Sequence, residues 1–247
     1  MIEYILLGII QGIFEWIPIS SEGVVTLFSQ FLIKDLNGLD LAIFLHLGTL
    51  LSVLVYFYKD WIDLILIKDK EFFKFFLVVT VISGAIGFFI YQISSQIIMG
   101  SGLLFLMGFG LILTSYMQRK KIDNIINKKY SPIIVGILQG LSAIPGVSRS
   151  GSTIFGLSLF EKDPSTILKQ SYLISAPVVL GSSLYLFIKS PVLLSQGWIA
   201  LIFSFIFGLL FLKLILNWAK NINFSLFTFI FGIICLTSAM IYFYFEI

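Results

Sequence analysis

Two short polar stretches in this chain carry residue types that can do chemistry. The first is Glu15-Trp16-Ile17-Pro18-Ile19-Ser20-Ser21-Glu22-Gly23, and the second is Pro145-Gly146-Val147-Ser148-Arg149-Ser150-Gly151. Both interrupt long apolar runs. An arginine at bilayer depth costs roughly 2.5–3.5 kcal/mol on insertion scales, so Arg149 needs an anionic partner or a wet cavity. Its planar fork suits two phosphate oxygens. Ser20 and Ser148 are good N-caps, and a helix that starts after each would aim its free amides at an anion. Glu15 has the opposite effect: a carboxylate beside a phosphate is repelled unless a divalent cation lies between them or a proton is exchanged.

The elements that position these residues follow from hydropathy. With 58% hydrophobic residues and a mean hydropathy of +1.03, the 247-residue chain has the composition of an integral membrane protein. Residues 2–33 and 131–160 are apolar blocks broken at Pro18 and at Pro145-Gly146, and each reads as a re-entrant pair of half-helices. Spans are expected at about Asp40–Tyr58, Glu71–Tyr91, Gly102–Met117, Leu168–Ile188, Gln196–Trp218 and Phe224–Tyr244. Residues 8–23, GIIQGIFEWIPISSEG, align without a gap on residues 136–151, GILQGLSAIPGVSRSG, 128 positions on. The fold class is therefore an all-α polytopic membrane protein of one domain, residues 1–247. It has two repeats, about 1–125 and 126–247, each a re-entrant hairpin plus three transmembrane helices. Three crossings per repeat invert the second copy relative to the first.

Charge placement agrees with that topology. If the Lys-rich loop at 119–129 is cytoplasmic, thirteen basic residues, among them Lys59, Lys68, Lys162, Lys169 and Lys213, fall on the inner side. Only Lys34 and Lys189 fall outside, so both termini are expected outside and the two hairpin tips should meet. Glu15, Ser20, Ser21 and Glu22 would then face Ser148, Arg149 and Ser150. No basic patch with interleaved aromatics points to nucleic acid. The single cysteine, Cys235, excludes an intrachain disulfide and a cysteine metal site. The first segment carries Glu3 and no cleavage pattern, which argues against a removable signal peptide.

Gln11-Gly12-Ile13-Phe14-Glu15-Trp16-Ile17-Pro18-Ile19-Ser20-Ser21 and Pro145 to Thr153 resemble the two motifs of the bacitracin-resistance type undecaprenyl-diphosphate phosphatases, and Leu45-His46-Leu47-Gly48-Thr49 resembles a stretch common after that family's first hairpin. The likeness runs over the full length. It implies metal-assisted hydrolysis of a polyprenyl diphosphate to the monophosphate, recycling the carrier lipid for cell-wall or envelope glycan synthesis. The site would face the outer side of the plasma membrane. By position it implies Glu15 as the acidic residue with Gln11 as its partner, the two holding Mg²⁺ or Ca²⁺. Ser21 would be nucleophile or phosphate ligand, with water as the other candidate attacker, and Arg149 the phosphate clamp. Ser20, Ser148, Ser150, Gly151 and Thr153 would support the substrate. Where the family usually has a histidine after the Ser-Ser-x-Gly turn, this chain has Val24, and Glu22 precedes Gly23, so Glu22 is the expected replacement base.

The remaining residues have simpler readings. The Gly8/Gly12 and Gly136/Gly140 pairs are small-residue helix-packing motifs, and His46 reads as an interhelical histidine because it lies on a span. Gln11 and Gln139 fit an interhelical hydrogen bond as well as a ligand role. Trp61, Trp198 and Trp218 read as interfacial residues, and Pro177 as a kink. As partners the reading names the lipid substrate and the membrane, and admits a homodimer. The rival reading is a polyprenyl-phosphate flippase that uses the same pocket without hydrolysis.

Overall fold

The structure is a computed structural model that describes residues 1–33, 38–93, 105, 108–113, 115–116, 127–144, 147–189 and 192–245. Among them there is no strand, in agreement with the all-α expectation. The first hairpin is α1 (Ile2–Phe14) and α2 (Ser21–Leu32), followed by α3 (Gly38–Tyr56), α4 (Tyr58–Ile65) and α5 (Lys70–Ile93). The second hairpin is α6 (Ser131–Leu141) and α7 (Arg149–Ser158), followed by α8 (Pro164–Lys189), α9 (Val192–Ala219) and α10 (Phe224–Phe245). Pro145 and Gly146, the expected break, lie outside the described residues, as do 119–126 of the Lys-rich loop and part of the span expected at 102–117.

Three described helices are long and apolar enough to cross a membrane, at Lys70–Ile90, Gly197–Ala219 and Phe224–Tyr244, and α3 with α4 makes a fourth if the bent pair is one span. That pair corrects the span expected at Asp40–Tyr58. The helix breaks at Phe57 and turns by 78° into α4. The turn buries Phe57 and Leu64 in the main core and sets Trp61 edge-on against Phe76 with centroids 6.0 Å apart, while Lys59 and Asp63 stay outside. Leu168–Ile188 is part of α8, which continues through Pro177 as one helix.

The packing repeats with the sequence. α1 packs on α9 as α6 packs on α5, α2 lies on α3 as α7 lies on α8, and α3 meets α9 as α8 meets α5. The paired glycines set the closest approaches. A Cβ on Gly12 would stand 2.7 Å from the Gly208 amide nitrogen in α9, and one on Gly140 would stand 2.6 Å from Ile86 Cβ in α5. The close-packing reading of Gly8, Gly12, Gly136 and Gly140 therefore holds.

Candidate active site

The half-helices restart at the same point in both hairpins. Ser20 Oγ accepts the Gly23 amide at 3.3 Å and Ser148 Oγ accepts the Gly151 amide at 3.1 Å. These N-caps make Ser21 and Arg149, equivalent across the 128-residue offset, the first residues of α2 and α7. A first-turn amide has no intrahelical acceptor, so the N–H groups of Ser21, Glu22, Arg149 and Ser150 are the ones each helix presents at its tip.

The two tips are in contact. Ser150 Oγ donates to the Ile17 carbonyl at 2.8 Å, Tyr172 hydroxyl to the Trp16 carbonyl at 2.9 Å and Tyr242 hydroxyl to the Ser20 carbonyl at 2.6 Å. Backbone carbonyls at the break of the first hairpin thus accept from donors of the second half, with the Ile17 and Ser20 carbonyls also accepting the Ile19 and Val24 amides. Gly151 allows this approach, since a Cβ there would lie 3.2 Å from Pro18 Cβ.

Glu15, 4% exposed, is the centre of the arrangement. One carboxylate oxygen, Oε1, pairs with the Arg149 guanidinium. The other, Oε2, accepts from Gln11 Nε2 at 2.7 Å and Ser21 Oγ at 2.8 Å, with His46 Nε2 at 3.1 Å. Arg149, expected to face a lipid diphosphate, pairs with the Glu15 side chain. A small pocket of about 10 Å³ adjoins the pair, lined by Glu15, Trp16 and Arg149 at one end and by Leu50, Val53, Ala176 and Val179 along its walls.

The other expected site residues divide in two. Ser20, Ser148, Ser150 and Gly151 sit at the tips as expected, with Ser148 Oγ and Ser150 Oγ 3.1 Å apart. Thr153 faces away from the first hairpin: its hydroxyl bonds the Arg149 carbonyl at 3.0 Å and meets Ser171 of α8. Glu22, the expected base, has a side chain 34% exposed, and its Oε1 lies 4.0 Å from His46 Nε2. The carboxylate that receives the Ser21 hydroxyl is Glu15. His46 joins the site although its position on a span concealed it; the signal available was that the chain's one histidine falls in the Leu-His-Leu-Gly-Thr stretch just after the first hairpin.

The divalent cation expected at Glu15 and Gln11 can be tested against these donors. Both oxygens of Glu15 are engaged, and among the described residues no three His, Cys, Asp or Glu side chains are grouped to hold an ion. Gln11 Oε1, buried without a partner, is one free acceptor. One amide oxygen beside a saturated carboxylate does not make a preformed seat for Mg²⁺ or Ca²⁺, which take about six or more oxygens.

The sequence model of the family described as bacitracin resistance protein BacA matches residues 4–237. The chain belongs to the BacA family. Proteins named undecaprenyl-diphosphatase are similar to it along nearly their whole length. The one from Methanococcoides burtonii is 33% identical, with 91% of this chain and 93% of that protein covered. The one from Halothermothrix orenii is 34% identical, with 97% and 98% covered. The one from Sulfurisphaera tokodaii is 31% identical, with 94% of each covered. Membership in the BacA family and the apolar helices make this a multi-pass membrane protein. The described residues of the two stretches that resemble the family's motifs, Gln11–Ser21 and Val147–Thr153, run to the two tips described above.

Proposed function

We propose that this protein hydrolyses the terminal phosphoanhydride of undecaprenyl diphosphate, releasing phosphate and the monophosphate carrier lipid. The observation that carries this reading is the Ser21–Glu15–Arg149 junction between the two hairpin tips, in which Ser21 and Arg149 each contact Glu15, an arrangement that suits a nucleophile, a base and a phosphate clamp. Arg149 exchanges Glu15 for oxygens of the terminal phosphoryl group, and the first-turn amides of α2 and α7 add hydrogen bonds to the same group. Glu15, released from Arg149, accepts the Ser21 proton as Oγ attacks phosphorus. The P–O bond to the leaving phosphate breaks and polyprenyl monophosphate departs. Water then attacks the phosphoserine; inorganic phosphate leaves and Ser21 recovers its hydroxyl proton.

The divalent cation enters this reading as the counter-ion of the diphosphate. The described residues make no preformed seat for it, so a Mg²⁺ that took part would arrive with the substrate phosphates and would supply neutralising charge there. The wider architecture is part of the same proposal: one domain of two inverted repeats with six spans, its site open to the outer face of the plasma membrane. The positive-inside bias and the packing pairs that recur in both halves support it. Nothing at the tips favours transport without hydrolysis, and the relatives carry a diphosphatase name.

Phosphate release from a C55 diphosphate by the purified protein tests the reading. Turnover is expected, slowed by a chelator, and lowered at least about 100-fold by Arg149→Ala, the scale on which removal of a preorganised charge partner acts. Tight lipid binding with no phosphate release would overturn it.

A further inference from the structure

His46 adds a group to this machinery that neither of the hairpin motifs contains. It lies in α3, the first helix after the hairpin, and is 6% exposed. Its Nδ1 is 2.7 Å from the Ala42 carbonyl one turn earlier. A carbonyl can only accept, so Nδ1 carries a hydrogen and the ring is fixed in one orientation. The opposite nitrogen, Nε2, is then aimed at Glu15 Oε2, 3.1 Å away. The same oxygen accepts Ser21 Oγ at 2.8 Å. The imidazole edge thus packs against the carboxylate oxygen that receives the Ser21 hydroxyl.

We infer that His46 is a positioning residue for the phosphatase reaction, holding the Glu15 carboxylate in line with Ser21 from outside the hairpin; the inference rests on the phosphatase reading. The arrangement is a nucleophile, a base and an orienting group, the general form of an activated hydroxyl, here with a carboxylate as base and an imidazole as orienting group. It has most effect after Arg149 has moved to the substrate, because Glu15 Oε1 is then without its partner and Gln11 and His46 alone keep Oε2 on Ser21. Val24, where the family resemblance implies a histidine, is three residues past Ser21 in α2. A histidine one helix away reaches the same carboxylate from α3.

The test is steady-state phosphate release by the full-length protein in detergent, with His46→Leu, His46→Gln and His46→Asn. Leucine removes the donor, glutamine returns an amide N–H that reaches Oε2, and asparagine is one bond too short. His46→Leu and His46→Asn should lower kcat by about 10- to 100-fold with KM changed less than about threefold, the effect of a misaimed group. His46→Gln should keep kcat within about fivefold of the unaltered protein. In a Glu15→Gln background, His46→Leu should cause no further loss, since it acts through Glu15. Unaltered turnover in His46→Leu, a loss confined to KM, or His46→Gln as impaired as His46→Asn would overturn the inference while leaving the phosphatase reading intact. Failure of the unaltered protein to release phosphate would overturn both.

Discussion

Two carboxylates stand close to the reacting hydroxyl, and their surroundings give them different work. Glu15 is buried and bonded by Ser21, Gln11, His46 and Arg149, whereas Glu22 is a third exposed, with its Oε1 4.0 Å from His46 Nε2. A base must lie within hydrogen-bond reach of the proton it takes. Glu15→Gln should therefore lower kcat by about 100-fold or more, and Glu22→Gln by less than about fivefold, measured as phosphate release. The reverse order would return the base to Glu22. Glu15 and Arg149 were legible in the sequence because charge inside an apolar run is expensive and demands a reason, and Ser21 came from the family resemblance of its motif. His46 was not, because a lone histidine on a span satisfies an interhelical bond equally well. Only the packing of α3 against α1 and α2 brings its Nε2 to Glu15.

At the scale of elements, the reactive residues depend on how tightly half-helices seat on their neighbours. α1 ends two residues after Gly12, and Glu15 is its C-cap, so the α1–α9 spacing at Gly12 sets where the carboxylate lies. A methyl group on Gly12 would stand 2.7 Å from the Gly208 nitrogen and 2.9 Å from the Ser204 carbonyl, both backbone atoms that cannot swing aside. Gly12→Ala should lower the melting temperature by roughly 5 °C, as overpacking by a methyl does in a chain of this size. Turnover should fall by about tenfold as Glu15 shifts from Ser21. Gly84, with nothing within 4 Å of its would-be Cβ, is the matched control, and Gly84→Ala should change neither. Equal effects at the two positions would refute the account. The hairpins themselves were readable because Pro18 stops one helix and Ser20 and Ser148 cap the next. The bend at Phe57 was not: Tyr56-Phe57-Tyr58 contains neither proline nor glycine, and the turn comes from burying Phe57 and Leu64.

At the scale of the whole molecule, a repeat of odd crossing number has a consequence that single helices do not reveal: equivalent residues of the two halves face opposite sides of the membrane. The repeat itself was plain in the sequence, because sixteen residues align without a gap at an offset of 128, and the same offset relates the helix pairs that pack together. Glu3 at the start of α1 and Ser131 at the start of α6 are 128 residues apart and would lie on opposite sides under the proposed inverted repeat, and Lys129, two residues before Ser131, is exposed. Cys235 is buried, and Cys235→Ser gives a background without thiols. Introduced there, Glu3→Cys should react with a membrane-impermeant maleimide on intact cells, and Lys129→Cys only after the membrane is permeabilised. Lys59→Cys and Lys162→Cys, both exposed and both on the side rich in lysine, should follow Lys129→Cys. Labelling of Glu3→Cys and Lys129→Cys from the same side would mean parallel repeats, and the two tips would then have to approach from one face. Labelling of Lys129→Cys alone on intact cells would keep the inverted repeats but turn the molecule over. Because the first hairpin would then enter from the cytoplasm, that result would place release of the monophosphate lipid on the inner side.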